Sequence, residues 1–211
     1  MRVKKKAGYH HGDLRQTLID VSVDVIDRQG LDALNLRALA VRAGVSSGAP
    51  YHHFADRAEL LAAIALEGFG RLEQAMIDRR DAAPADPVSR LDAIAQAYVG
   101  FAVSNTGHFR VMFRDNSPAA RNADLSAASQ KAFRLLYGVV EECQQAAAAP
   151  AGDTGSLVYA AWSLVHGLAT LWVDGALPTA RVDPARLAPE VTGLLGRMFL
   201  ALARGEASGR G

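Results

Sequence analysis

The stretch from Asn35 to Phe54 constrains this chain more than any other part of it. Leu36, Leu39, Ala40 and Ala43 recur at helical spacing, so a first short helix has one apolar face and carries Arg37 and Arg42 elsewhere. Asn35 stands where an N-cap belongs. Gly44 ends the helix, because a left-handed residue past a helix terminus costs glycine least. Val45 fills the angle to a second helix. Ser46 and Ser47 place hydroxyls at its start, where free N–H groups and the helix dipole favour an anion such as a DNA phosphate. Ser47, Gly48 and Ala49 are small enough for a backbone to approach a groove, and Tyr51, His52 and His53 set polar rings beside them. Phe54 returns to the core. The pattern predicts a helix-turn-helix; a plain αα-turn would share the glycine but not this small and polar second face.

The run Leu-Arg-Ala-Leu-Ala-x-x-Ala-Gly-Val-Ser-x-Gly-x-x-Tyr-x-His-Phe-x-x-Arg-x-Glu-Leu-Leu, residues 36–61, resembles the DNA-binding domain of the TetR family of transcriptional repressors. The resemblance covers residues 13–62 closely. It implies that the second helix enters the major groove and that the start of the next helix touches the DNA backbone. Carried over position by position, it puts Arg37, Ser46, Ser47, Gly48, Tyr51, His52 and Arg57 on DNA. Asn35 stands where the family often has threonine, and it should still cap. Pro50 stands where the family often has an aliphatic residue. A proline removes one N–H and crowds the carbonyl of Ser46, so the recognition helix should start irregularly or begin close to Pro50.

Net charge decides little here. It is only +1, so DNA binding has to come from local placement. Arg2, Lys4, Lys5, Lys6 and Arg15 stand against Asp13 alone in the opening segment. That segment reads either as an arm adding phosphate contacts in or near the minor groove, with Lys4, Lys5 and Lys6 on DNA, or as a solvated start. No apolar run follows it, so no signal peptide is expected. His10 and His11 are adjacent and point apart on a helix, which argues against a metal site. The single cysteine, Cys143, excludes an internal disulfide and a cysteine-based zinc cluster and fits a reducing cytoplasm.

A first helix should start at Gly12 or Asp13 and run to Gln29 on Leu14, Leu18, Val21 and Val25, with Gly30 closing it. Asp56-Arg57-Ala58-Glu59 opens a long connecting helix, about 57–80, through Leu60, Ile64, Phe69, Leu72 and Met76. Residues 1–58 thus form an arm and DNA-binding domain, and residues 81–211 a second domain. Asp81 to Pro87 is a break, and Asp86-Pro87 restarts a helix on Leu91, Ile94, Tyr98 and Phe101. A short segment from His108 to Arg114 follows. Beyond the break at Asn116-Ser117-Pro118, a long helix carries Leu125, Ala128, Ala132, Leu135, Val139 and Cys143. Residues 146–155 read as a loop.

The helix from about Leu157 to Val173 sets Trp162 and His166 four apart, so their rings stack along one face. Ala-Trp-x-x-x-His-Gly-Leu resembles the signature of a TetR C-terminal subgroup known by its Trp-His-Gly residues, more loosely and over residues 85–202. Residues 157–177 are the only membrane-like stretch. His166, Asp174 and two glycines within it favour a buried helix, so no membrane is expected. Asp183-Pro184 opens a last helix whose Leu187, Val191, Leu194, Leu195, Met198 and Leu202 make a broad apolar stripe, with Gly193 and Gly196 allowing close approach by another helix. The chain therefore reads as all-α with about nine helices. The resemblance implies a homodimer through the last two helices; a monomer with those faces folded inward is the other reading.

Tyr98, Phe101, Phe109, Met112, Phe113, Phe133, Tyr137, Trp162 and His166 stand on several helices and are candidates for one ligand cavity, although aromatic residues at helical spacing also serve as plain core. Tyr137, Trp162 and His166 are favoured because each has a polar tip that needs a partner when buried. His166 donating to a carbonyl is the competing account. These residues are uncharged, which points to an apolar or weakly polar effector. The chain has no nucleophile elbow, no HExxH and no glycine loop for phosphate, so neither catalysis nor a cofactor is expected. The resemblance implies a dimeric repressor on a near-palindromic double-stranded operator, released by a small molecule. An activator of the same fold and an architectural, non-specific DNA binder are the alternatives.

Overall fold

One helix of 26 residues joins the two ends of the molecule. The computed structural model describes residues 14–113, 123–177 and 184–208. Within them lie eight α-helices: α1 (Leu14–Gln29), α2 (Leu36–Arg42), α3 (Arg57–Ala82), α4 (Pro87–Ser104), α5 (Thr106–Met112), α6 (Ala123–Gln145), α7 (Thr154–Val173) and α8 (Pro184–Ser208). The helix missing from the expected set of about nine is the recognition helix, whose place is taken by a four-residue 3₁₀ turn, Ala49–His52. Among the described residues all regular structure is helical.

α1 packs on the first half of α3 and on α5, and α2 packs on α1 and on the turn that follows it. The inward face of α1 is Leu18, Ile19, Ser22, Val25 and Ile26, rotated slightly from the expected stripe, so that Val21 is half-buried. Ser22 is tolerated at full burial because its hydroxyl donates to the Leu18 carbonyl at 2.6 Å. α3 starts on Asp56, whose carboxylate accepts from the Glu59 N–H at 2.8 Å, while the Glu59 carboxylate reaches back to the Ala55 N–H at 2.6 Å. The reciprocal capping expected there forms one residue further upstream than in the standard box. Leu60 and Ile64 of α3 close the N-terminal core, and Phe69, Leu72 and Met76 face the second region. α3 thus belongs to both.

α4 runs through the centre of the second region, capped by Asp86, which accepts from the Ser89 N–H at 2.9 Å. α7 begins at Thr154, three residues before the expected start, because the carboxylate of its N-cap Asp153 takes the N–H groups of Gly155 and Ser156. α7 is the one described helix long and apolar enough to cross a membrane; it turns Val158, Ala161, Val165 and Ala169 into the bundle. α8 meets α4 at Gly196, where a Cβ would sit 2.8 Å from Val88 Cγ1. The close approach expected of that glycine is therefore made within the chain. Thr192 of α8 donates to Asp92 of α4 at 2.7 Å. The outer face of α8 leaves Leu194, Met198 and Leu202 exposed, and α7 does the same with Tyr159 and Leu171.

Candidate functional site

The first site is an edge built by α2 and the segment after it. Asn35 caps α2 as expected, its side-chain oxygen accepting from the N–H groups of Arg37 at 2.9 Å and Ala38 at 3.4 Å. Gly44 adopts φ 69°, a left-handed turn that an L side chain resists, and Val45 N–H then donates back to the Ala40 carbonyl at 3.0 Å. From Ser46 on, bonds run three residues apart: Ala49 to Ser46 at 3.0 Å, Tyr51 to Gly48 at 3.1 Å, His53 to Pro50 at 3.0 Å. Pro50, buried and without an N–H, donates to no carbonyl, so the tighter 3₁₀ pattern replaces an α-helix.

Phe54 locks this turn from beneath, 1% exposed, with the Arg15 guanidinium 5.3 Å from its ring centroid. Arg37, Ser46, Ser47, Gly48, Tyr51 and His52 are all exposed. Arg57 is placed differently. It is half-buried, and its Nη2 donates to the Leu31 carbonyl at 2.7 Å, bracing the start of α3 against the turn that follows α1. Lys4, Lys5 and Lys6 lie outside the described residues, as does the start expected for the first helix at Gly12 or Asp13.

The second site is a cavity of about 610 Å³ inside the C-terminal region. Phe69, Leu72 and Met76 of α3 and Leu91, Ile94 and Tyr98 of α4 form one side. Phe133 and Leu136 of α6, with Ala161, Trp162 and Val165 of α7, form the other. Met112 and Phe113 close one end and Leu195 of α8 also reaches the wall. Of the expected residues, Tyr98, Met112, Phe113, Phe133 and Trp162 therefore come together. Phe101 and Phe109 do not line it; at 5% and 3% exposure they are packed core. Tyr137 is half-buried against the core and off the wall. Sequence reasoning passed over Phe69, Met76 and Tyr159 as lining residues, and also the polar group Ser126, Ser129 and Gln130 at the exposed side of α6. Polar residues interrupting the apolar stripe beside Leu125 were the available signal for that group.

His166 lies behind the wall rather than in it. Its Nδ1 shares a 2.8 Å hydrogen bond with the Tyr98 hydroxyl, where the competing account has a carbonyl partner. Its ring packs on Trp162, centroids 5.3 Å apart and tilted 36°, the contact expected from their spacing. Phe113 approaches from the other side at 4.7 Å. Burial pushes the Tyr98 phenol well above its ordinary value, partly opposed by hydrogen bonding with Trp162. Burial also holds His166 below the usual histidine value, so both groups are neutral near pH 7.

A polar junction links the two sites. Gln16 of α1 donates to Glu67 of α3 at 2.9 Å, Arg71 pairs with the same carboxylate, and Nε2 of His108 on α5 stands 3.4 Å from it. His108 is 3% exposed, and neither ring nitrogen has a well-formed hydrogen bond. Desolvation lowers its pKa, helped by the Arg71 charge and opposed by Glu67. Beside it, Gly107 lets α5 press on α1: a Cβ there would meet the Val23 carbonyl and the Asp27 carboxylate, both at 3.0 Å.

An N-terminal helix-turn-helix carried on a helical body defines the class of one-chain DNA-binding regulators. The comparisons place the chain within it. Residues 18–64 match the family described as "Bacterial regulatory proteins, tetR family", and residues 91–195 match "Tetracyclin repressor-like, C-terminal domain". The HTH-type transcriptional regulator BetI of Burkholderia ambifaria is 30% identical over 80% of this chain and 85% of its own length. BetI of Paraburkholderia phytofirmans is 41% identical over 39% of this chain, a match that spans 43% of that relative. A protein of unknown function from Rhodococcus sp. RHA1 superimposes with a TM-score of 0.77 at 31% identity, over 93% of this chain and 98% of that one. FadR of Bacillus subtilis, solved with stearoyl-CoA, shares the fold at a TM-score of 0.71 and 20% identity, over 85% and 96%. The chain belongs to the TetR family of transcriptional regulators. Members of this family bind DNA as dimers and bind small-molecule ligands, and they are regulators rather than enzymes.

Proposed function

We propose that this chain is a cytoplasmic repressor that binds a near-palindromic operator as a homodimer and leaves it when a small molecule fills the cavity. The observation that carries the reading is the position of α5. Its end supplies Met112 and Phe113 to the cavity, and its beginning sets Gly107 and His108 against α1 and α3. A ligand that displaces Met112 must move against Gly68 of α3, whose Cα side is packed tightly on the Met112 sulfur. α3 and α5 are then the levers between cavity and reading edge. An effector needs only to prefer one dimer geometry by about 1–3 kcal/mol to act in this way.

Arg37, Ser46, Ser47, Gly48, Tyr51 and His52 form the DNA-facing set, and Arg57 acts through the geometry it braces. Lys4, Lys5 and Lys6 add phosphate contacts. The exposed leucines and Met198 of α8, with Leu171 of α7, supply the dimer face. Fluorescence anisotropy with DNA from upstream of the chain's own gene, against scrambled DNA at several salt concentrations, tests the reading. Preference for the upstream DNA is expected, and Arg37→Ala should weaken binding across sequences and lower the salt slope by about one. Equal binding to both DNAs, lost alike with salt, and no sequence selected from a random pool would point to the architectural alternative. Met112→Ala should alter release by an effector more than it alters affinity for DNA.

A further inference from the structure

We infer that the effector is an uncharged, largely aromatic molecule with one neutral hydrogen-bonding group, which docks on Tyr98 at the buried end of the cavity. This rests on the reading of the cavity as the effector site and names what fits it. The volume of about 610 Å³ suits a drug-sized ligand. Six aromatic rings stand around it: Phe69, Tyr98, Phe113, Phe133, Tyr159 and Trp162. They meet one another mostly edge-on or tilted, as Phe69 and Phe113 do at 5.6 Å and 73° and Phe133 and Trp162 at 6.3 Å and 87°. Such rings leave faces and edges open to another flat ring, the arrangement aromatic groups prefer.

Charge decides against the two obvious rivals. No described lining residue is an Asp, Glu, Lys, Arg or His. Against the described lining a carboxylate would enter without a cation to meet it, and an ammonium without an anion, so either would lose its water uncompensated there. Aromatic faces do attract quaternary ammonium groups, but only when they close within about 6 Å around the charge, and a space this large leaves most of such a cation against apolar carbon.

Tyr98 supplies the handle. It is 6% exposed, and the phenol is held in place by His166 Nδ1 at 2.8 Å. A neutral imidazole offers two tautomers. With the proton on Nε2, Nδ1 accepts from the phenol, and the phenol oxygen, which also takes hydrogen bonding from Trp162, keeps one lone pair to accept from a ligand hydroxyl. With the proton on Nδ1, the imidazole donates and the phenol O–H turns to a ligand carbonyl. The same dyad therefore serves a phenol, an alcohol or a ketone, and neither ring carries a charge. Ser126 and Gln130 on the other wall are exposed to water, which competes for their hydrogen bonds, so the buried phenol is the better-placed partner.

Calorimetric titration of the full chain and of Tyr98→Phe with four probes on one ring frame tests this: naphthalene, 2-naphthol, 2-naphthoate and 2-naphthyltrimethylammonium. The wild-type chain should bind 2-naphthol about tenfold or more tighter than either charged probe. Tyr98→Phe should lose about tenfold for 2-naphthol, the worth of one hydrogen bond, and stay within about twofold for naphthalene. A thermal melt confirms that the variant is folded, and naphthalene binding reports that the cavity is intact. Tighter binding of 2-naphthoate or the ammonium probe overturns the inference while leaving the effector site standing. Equal loss of naphthalene and 2-naphthol in Tyr98→Phe does the same. No binding by any of the four overturns both.

Discussion

The two halves of α3 serve opposite kinds of core. Around Leu60 and Ile64 the packing is closed: these residues, Leu18 and Ile26 are 0% exposed, and Phe54 is 1%. Around Phe69, Leu72 and Met76 it stays open over about 610 Å³. The difference fits the proposed roles of the two regions. On that reading the N-terminal region works with its outer edge, so its interior can be filled completely and must be, because a short turn gains its shape from what lies under it. The C-terminal region would work with its interior, and a filled one would have nothing to receive.

Truncation of one large ring in each region should expose that contrast most. Phe54→Ala should destabilise the chain by about 3–5 kcal/mol, the usual cost of emptying a tightly packed aromatic site. Phe133→Ala, in the wall of a space that already lacks partner atoms on one side, should cost about 1–2 kcal/mol. Urea unfolding followed by circular dichroism measures both. Equal losses would mean that the cavity wall is as tightly supported as the DNA-binding core, and the contrast would fail.

A pair of glycines sharpens the comparison within the reading edge itself. Gly44 sits at φ 69°, so Gly44→Ala should cost about 1–2 kcal/mol although a Cβ there meets nothing. Gly48 has φ −86° and ψ −20° with open space around it, and Gly48→Ala should leave stability unchanged or raise it by about 0.5 kcal/mol. Its DNA affinity should nonetheless fall if the edge docks as proposed, because the added methyl would then point into the contact with the groove. Gly48→Ala binding DNA as well as the wild type would remove Gly48 from the contact surface.

These two regions were also unequally legible before the structure. The cap on Asn35, the turn at Gly44 and the burial of Phe54 depend on neighbours within a few residues, and local pattern is enough to find them. Pro50 warned of an irregular start, and the recognition element proved to be a 3₁₀ turn throughout. α7 started early because Asp153 is an N-cap that a glycine-rich and proline-rich neighbourhood disguised as loop. The cavity was harder. Phe109 and Phe113 lie four apart on and just past one helix, yet Phe109 is core and Phe113 is wall. Helical spacing cannot separate them, since the distinction is made by α6 and α7 crossing from elsewhere in the chain. Glu67 and Gln16, which surround His108, are equally remote from it in sequence.

The smallest expected effect is a pH dependence at the junction between the regions. His108 faces Glu67 and Arg71 of α3, with Gln16 and Asp27 of α1 nearby. Its folded pKa lies below the ordinary 6.5, so the unfolded chain binds the proton more readily. Its contribution to stability is then present above about pH 6.5 and is lost as pH falls through the lowered value. The effect is modest because the Glu67 carboxylate favours the charged ring and offsets part of the desolvation. His108→Gln cannot take up a proton, so its urea midpoint should fall less than that of the wild type between pH 7.5 and pH 5. His166, also lowered, should leave a residual slope that His166→Gln removes. A slope unchanged by His108→Gln would show that the junction is relaxed enough to admit water, and that the seam between reading edge and cavity is looser than either region it joins.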